Sequence, residues 1–253
     1  MTNDPDLRAA VTRKFVRRTI VYLALLGALL FLSAGTLDWP GAWVYLALSA
    51  IAGGGSGLLL ARHDPELLLE RLGPMIQRQQ KSWDKLLLSL FLVLYLGWLV
   101  LIALDAKRFH WSSMPVALQV VGAVLLCITF YAMWRVMREN SFAAPVVKVQ
   151  RERGHKVVST CPYALVRHPM YAGIIPLLIG TPLLLGSWWG LIAAPLLLIL
   201  LAIRAVLEEE TLKAELEGYK DYAARVRFRL FRIFGRSAPD RRFGSKRLFI
   251  FRP

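Results

Sequence analysis

Residues able to do polar chemistry gather in two stretches of this chain. The first runs Gly154-His155-Lys156-Val157-Val158-Ser159-Thr160-Cys161-Pro162-Tyr163-Ala164-Leu165-Val166-Arg167-His168-Pro169-Met170-Tyr171-Ala172-Gly173. It sets histidines, an arginine and tyrosines at the entry to an apolar run. Pro169 suits the first turn of a helix, because the N–H it lacks would have no partner there. The free amides of such a start, with the positive end of the helix dipole, make a seat for an anion such as a carboxylate. The second stretch is Arg204-Ala205-Val206-Leu207-Glu208-Glu209-Glu210. Arg204 and Glu208 lie four apart on one helical face. An arginine just inside an apolar span can hold a buried anion with its planar fork.

Each of these residues also has a plainer reading. Arg167 and Arg204 sit where interfacial arginines snorkel. Glu208–Glu210 can be solvated acids that pair with Lys213 or the basic tail. Metal ligation is not indicated, because His155 and His168 have no carboxylate or thiolate at zinc-ligand spacing. His63 and His110 fall in other connections. There is no nucleophile elbow, no glycine-rich phosphate loop and no GxGxxG.

The elements that must position these residues are membrane spans. Of 253 residues, 56% are hydrophobic and 19% charged, against about 25% charged in a soluble domain. That excludes a plain cytosolic enzyme, a disordered chain and a disulfide scaffold. Cys127 and Cys161 alone make no disulfide framework. Six apolar stretches approach the roughly 20 residues a spanning helix needs: Arg18–Ala34, Gly41–Ala61, Lys85–Leu104, Pro115–Arg135, Met170–Gly186 and Trp188–Leu207. The first reads as a span rather than a cleavable signal peptide. The expected fold is an all-α polytopic membrane bundle of about six helices.

Charge orients it. Of the 32 Lys and Arg residues, only Lys107 and Arg108 fall on one side of this arrangement. The positive-inside rule makes the other side cytoplasmic and puts both termini there. Gly53, Gly54, Gly55 and Gly57 form a strip expected to let a neighbouring helix pack closely. Pro176, Pro182 and Pro195 should bend or interrupt the last spans, and Gly186-Ser187 makes their connection a tight hairpin. Leu212, Leu216, Tyr219, Ala223, Val226 and Leu230 alternate in steps of four and three. They predict an amphipathic helix lying on the membrane or folded back over the bundle. The expected organisation is a four-span region (1–140), a core (141–230) and a basic tail (231–253), which could grip anionic lipid.

The string His155–Gly173, followed by Arg204-xxx-Glu208-Glu209, resembles the isoprenylcysteine carboxyl methyltransferase family of integral-membrane, S-adenosylmethionine-using enzymes. The resemblance covers roughly Ser141–Leu230. Its core is Arg167-His168-Pro169-x-Tyr171, and Glu217–Tyr222 and Arg225–Leu230 extend it. It implies that S-adenosylmethionine contacts Gln150, His155, Lys156, Val157, Val158, Tyr163, Arg167, His168, Pro169, Met170 and Glu208. It implies too that Arg204 faces the substrate as the catalytic residue. Tyr163, Tyr171 and Trp134 could line the pocket, since aromatic faces favour a cation. The C-terminal helix would cover that pocket. The resemblance departs at Cys161, where the family usually has a glycine and a special backbone angle.

The implied partner is a lipophilic or lipidated acceptor entering from the bilayer, with no nucleic acid, in a bacterial inner membrane. An isoprenylcysteine-like carboxylate fits Arg204, and phospholipid N-methylation shares the same cofactor elements. Membrane sterol reductases also carry a similar Arg-His-Pro-x-Tyr ending with NADPH, although the acids at 208–210 disfavour a 2′-phosphate nearby. A non-enzymatic membrane scaffold is the remaining class.

Overall fold

The computed structural model describes residues 5–230. Over that range the chain is helical with no strand. α1 (Pro5–Ala34), α2 (Pro40–His63), α4 (Ser82–Ala103), α5 (Val116–Glu139) and α7 (Trp188–Glu215) are each long and apolar enough to cross a membrane. α6 (Pro169–Leu185) is apolar but shorter, and α3 (Pro65–Arg71) and α8 (Tyr219–Arg225) are short helices in the connections. The chain is a multi-pass membrane protein.

Most spans outrun their apolar stretches. α1 begins well before Arg18, α5 continues to Glu139 and α7 to Glu215. A helix satisfies its own backbone bonds and need not stop where the lipid does. No Gly or Pro interrupts the chain at those boundaries, and the charged residues simply emerge. α6 departs from the six-span expectation. Its 17 residues rise about 25 Å, short of about 30 Å of hydrocarbon. It is the innermost helix, packed against α2, α4, α5 and α7.

One apolar interior joins the bundle. Leu30, Ala42, Leu99, Leu126, Leu178 and Leu197, one from each apolar helix, belong to a single buried cluster. Outward faces stay apolar, with Leu32, Ile51, Leu86, Val116 and Ile192 exposed as lipid-facing residues should be. Close helix approach is not made by the expected glycine strip. Gly53, Gly54 and Gly55 have no neighbour where a Cβ would stand, and within the strip Gly57 alone packs, against the Phe15 ring. The tight contact is between α5 and α6, where a Cβ on Gly180 would lie 2.8 Å from Gly122 O.

The two elements that shape the site are turns. Gly186, at φ 86°, reverses the chain between α6 and α7, and the Ser187 hydroxyl then accepts from Gly190 N at 2.8 Å to start α7. The expected amphipathic helix through Leu212–Leu230 is not continuous. α7 ends at Glu215, Gly218 takes φ 76°, α8 follows, and the chain is non-helical from Val226 to Leu230. That last segment pairs with the entry to α6, where Arg167 N and His168 N each donate, at 2.9 Å, to Phe228 O and Arg229 O. The expected tail, 231–253, lies outside the described residues.

Candidate active site

α8, the α5–α6 loop and the adjoining ends of α6 and α7 enclose a cavity of about 260 Å³. Its wall contains His155, Lys156, Val157, Val158, Tyr163, Arg167, His168, Pro169, Met170, Arg204 and Glu208. Gln150 is the exception among the expected cofactor contacts. It is fully buried outside the wall, donating to Phe142 O at 2.9 Å and accepting from Arg153 Nη1 at 2.6 Å. Its role is to brace the loop. Trp134 also stays off the wall and lies beneath the Arg138 guanidinium at 5.4 Å.

The loop owes its shape to stacking and short-range bonds. The His155 ring stacks on Phe142 at 4.5 Å, and His155 Nδ1 accepts from Gln150 N. Burial, with the Arg153 charge adding to it, lowers the His155 pKa to about 4, so the imidazole is neutral. Tyr163 accepts from Asn140 Nδ2 at 2.8 Å, and burial pushes its phenol up. Tyr222 donates to Tyr163 O at 2.8 Å and is itself pushed up to about 12 by burial, which pins α8 over the cavity. Cys161 is exposed and does not have positive φ, so the family glycine's absence imposes no left-handed strain.

α6 starts at Pro169 with no side chain capping it. Met170 and Tyr171 therefore have no intrahelical acceptor for their amides, and both residues line the cavity. On α7, Glu208 Oε2 accepts from Tyr171 Oη at 2.6 Å. Arg204, one turn earlier, does not bond Glu208. It donates from Nε to Asp84 Oδ1 at 2.7 Å and from Nη2 to Pro145 O at 2.8 Å, with its guanidinium 5.8 Å from the Tyr171 ring centre.

The acids at 208–210 are not a solvated cluster. Glu210 is exposed, but Glu209 is 1% exposed and faces Arg167, His168, Lys213 and Arg229. A carboxylate there holds the α6 entry, α7 and the 226–230 segment together. Several wall or supporting residues are not among those the sequence pointed to: Arg71, Asn140 and Phe142, which carry no local signal, and Asp84. Asp84 had a usable signal, since an acid at the mouth of an apolar span needs a partner. Among the described residues no group of His, Cys, Asp and Glu could hold a metal.

The wall thus offers a carboxylate and aromatic faces suited to a cation, amides and guanidinium groups suited to an anion, and an apolar side continuous with the bundle. Residues 117–217 match the family model described as phospholipid methyltransferase. No curated protein matches the chain. The matched stretch runs from the start of α5 to just past α7, and so takes in the loop, α6, Arg204 and Glu208 while leaving out α1–α4 and α8.

Proposed function

We propose, from the premise that segment 117–217 belongs to a family of integral-membrane methyltransferases related to the isoprenylcysteine carboxyl methyltransferases, that this chain moves a methyl group from S-adenosylmethionine to a lipophilic acceptor. The observation that carries the reading is the common cavity of Glu208, the α6 start and the His155–Val158 loop. S-adenosylmethionine supplies an already electrophilic methyl when bound, so the protein's task is alignment and exclusion of water. Glu208, oriented by Tyr171, suits the cofactor's cationic side. Tyr163, Tyr219 and Tyr222 offer faces for a cation and, with Leu212 and Leu216, close the cavity from water.

Arg204 lies on the membrane-span side of the cavity and is fixed by Asp84 and Pro145, which leaves its Nη1 without an acceptor among the described residues. That edge suits an oxygen nucleophile, a carboxylate that needs no general base, on an acceptor with a lipid tail entering from the bilayer. Both termini lie on the cytoplasmic side in this reading. A second acceptor class, a phospholipid amine, is favoured by the matched family's own description.

Incubating the purified protein with methyl-labelled S-adenosylmethionine and bacterial membrane lipid tests both. Label that alkali releases as methanol identifies a carboxyl ester, and alkali-stable label identifies N-methylation. Tight NADPH binding without any S-adenosylmethionine binding overturns the methyltransferase reading.

A further inference from the structure

Of the cations lining the cavity, most have a visible reason to be there. Lys148 pairs with Glu70 at 2.8 Å, Arg167 with Glu209 at 3.5 Å and Arg204 with Asp84 at 2.7 Å. Lys156 is exposed to solvent. Arg71 is largely withdrawn from solvent, yet among the described residues no carboxylate lies within ion-pair reach of it. Its protein acceptor is a neutral one, Ala143 O, which takes Nη1 at 2.8 Å. Burial pulls its pKa below arginine's ordinary value, with the nearby Tyr163 acting in the opposite sense. A guanidinium withdrawn from water without a counter-charge is costly to hold.

Its position is set by α3. Asp64 caps that helix by accepting from Leu67 N at 2.9 Å. Leu67 and Leu68 are buried with Val11, Leu72 and Ala143. Arg71 follows them by four and three residues, on the same inward face. Met170, at the start of α6, packs on this cluster. The Arg71 guanidinium and the amides at the start of α6 therefore border one end of the cavity. Arg71 also lies outside the family-matched stretch, 117–217.

We infer that Arg71 binds the carboxylate at the amino-acid end of the cofactor. The inference rests on the methyltransferase reading above. S-adenosylmethionine carries a sulfonium, an ammonium and a single anion, its carboxylate. Glu208 and the tyrosine faces suit the cations. Arg71 supplies the missing positive partner, with Nε and Nη2 free of acceptors among the described residues to receive a carboxylate as a fork. Arg204 does not serve this purpose, because Asp84 and Pro145 hold it on the α7 side.

Calorimetry on the full-length protein tests this with two ligands, S-adenosylhomocysteine and 5′-methylthioadenosine, the second lacking the amino-acid end. Arg71→Gln should weaken S-adenosylhomocysteine about 10- to 100-fold, the loss of a charge-assisted hydrogen-bonded pair, and leave 5′-methylthioadenosine nearly unchanged. Arg71→Lys should lose less than Arg71→Gln. Equal loss for both ligands, or no loss for either, overturns the inference. If Arg71→Gln yields no folded protein, wild type is compared on S-adenosylhomocysteine and its decarboxylated analogue. A preference of at least about tenfold for the carboxylate is expected, narrowed in Arg71→Lys, and equal affinities overturn it. Wild type that binds neither nucleoside overturns the methyltransferase reading itself, a different outcome from a variant that binds as wild type does.

Discussion

The Asp84 carboxylate reaches across 120 positions to Arg204, accepting from its Nε at 2.7 Å through Oδ1. Its other oxygen accepts from Gln80 Nε2 at 2.8 Å and from Val147 N at 2.9 Å. One fully buried acid thus ties α4, the α5–α6 loop and α7 at a single point. The arginine expected to face the substrate is held from behind by a residue outside the family-matched stretch.

Removing that acid strands a buried guanidinium, so Asp84→Ala should destabilise the protein by about 3–5 kcal/mol. Replacing the pair with apolar residues, Asp84→Leu with Arg204→Met, should recover much of the stability but not the activity. Denaturation midpoints in detergent, read beside turnover, check both statements. A double variant that turned over normally would remove Arg204 from the site.

Glu208 and Arg204, one helical turn apart, answer to different partners: Tyr171 for the first, Asp84 for the second. Glu208→Gln should weaken S-adenosylhomocysteine binding by about 1.5–3 kcal/mol, the scale of a charge-assisted hydrogen bond. Arg204→Lys keeps the charge but loses the fork, and should impair turnover with cofactor affinity near normal. Calorimetry on the two variants decides it. If Arg204→Lys loses cofactor as badly as Glu208→Gln, the division of labour between them is wrong.

The apolar helices were legible because each repeats one physical demand, about 20 residues without charge. So was the wall of the cavity from His155 to Met170, since it is one contiguous string. What stayed hidden depends on contacts between distant parts of the chain. Nothing local marks Arg71 as turned inward, because its direction follows from how Leu67 and Leu68 pack. Arg204 and Glu208 have the spacing of an intrahelical pair, but stronger partners on α4 and α6 take them. The 3.6-residue periodicity through Leu230 overlooked Gly218, whose left-handed conformation ends one helix and opens another.

His155 gives a pH signature. Its folded value of about 4 lies below the ordinary 6.5, so the folded state favours the neutral ring. The unfolded chain takes up the proton first as pH falls, and stability is lost progressively from about 6.5 down to about 4. Above that window the group contributes nothing. Wild type should therefore lose more melting temperature between pH 7.5 and pH 5 than His155→Gln does. Parallel curves for the two proteins would show that the ring is freely protonated.

Topology can be read by labelling. With Cys127 and Cys161 replaced by serine, a cysteine at His110, an exposed residue beside Lys107 and Arg108, should react with an impermeant maleimide added outside intact cells. One at the exposed Glu217 should react only after lysis. The opposite pattern would put the cavity on the side without cofactor.

The 226–230 segment backs two residues of the cavity wall, where its carbonyls hold the amides of Arg167 and His168 and Arg229 Nε donates to Glu209 at 2.8 Å. These two ion-pair partners are unequal. The Arg229 side chain is 46% exposed, while that of Glu209 is 1% exposed and faces three further cationic or titratable groups. Solvent screening keeps Arg229's share of stability small, so Arg229→Ala should cost less than about 1 kcal/mol. Glu209→Gln should cost about 3–5 kcal/mol, because it leaves the buried Arg167 guanidinium without its anion. Loosening the segment should nevertheless speed product loss, since Arg167 and His168 both line the cavity. Stopped-flow dissociation of S-adenosylhomocysteine should therefore be several-fold faster in Arg229→Ala than in wild type at nearly equal melting temperature. Equal dissociation rates would make the segment a structural tie with no part in holding the ligand.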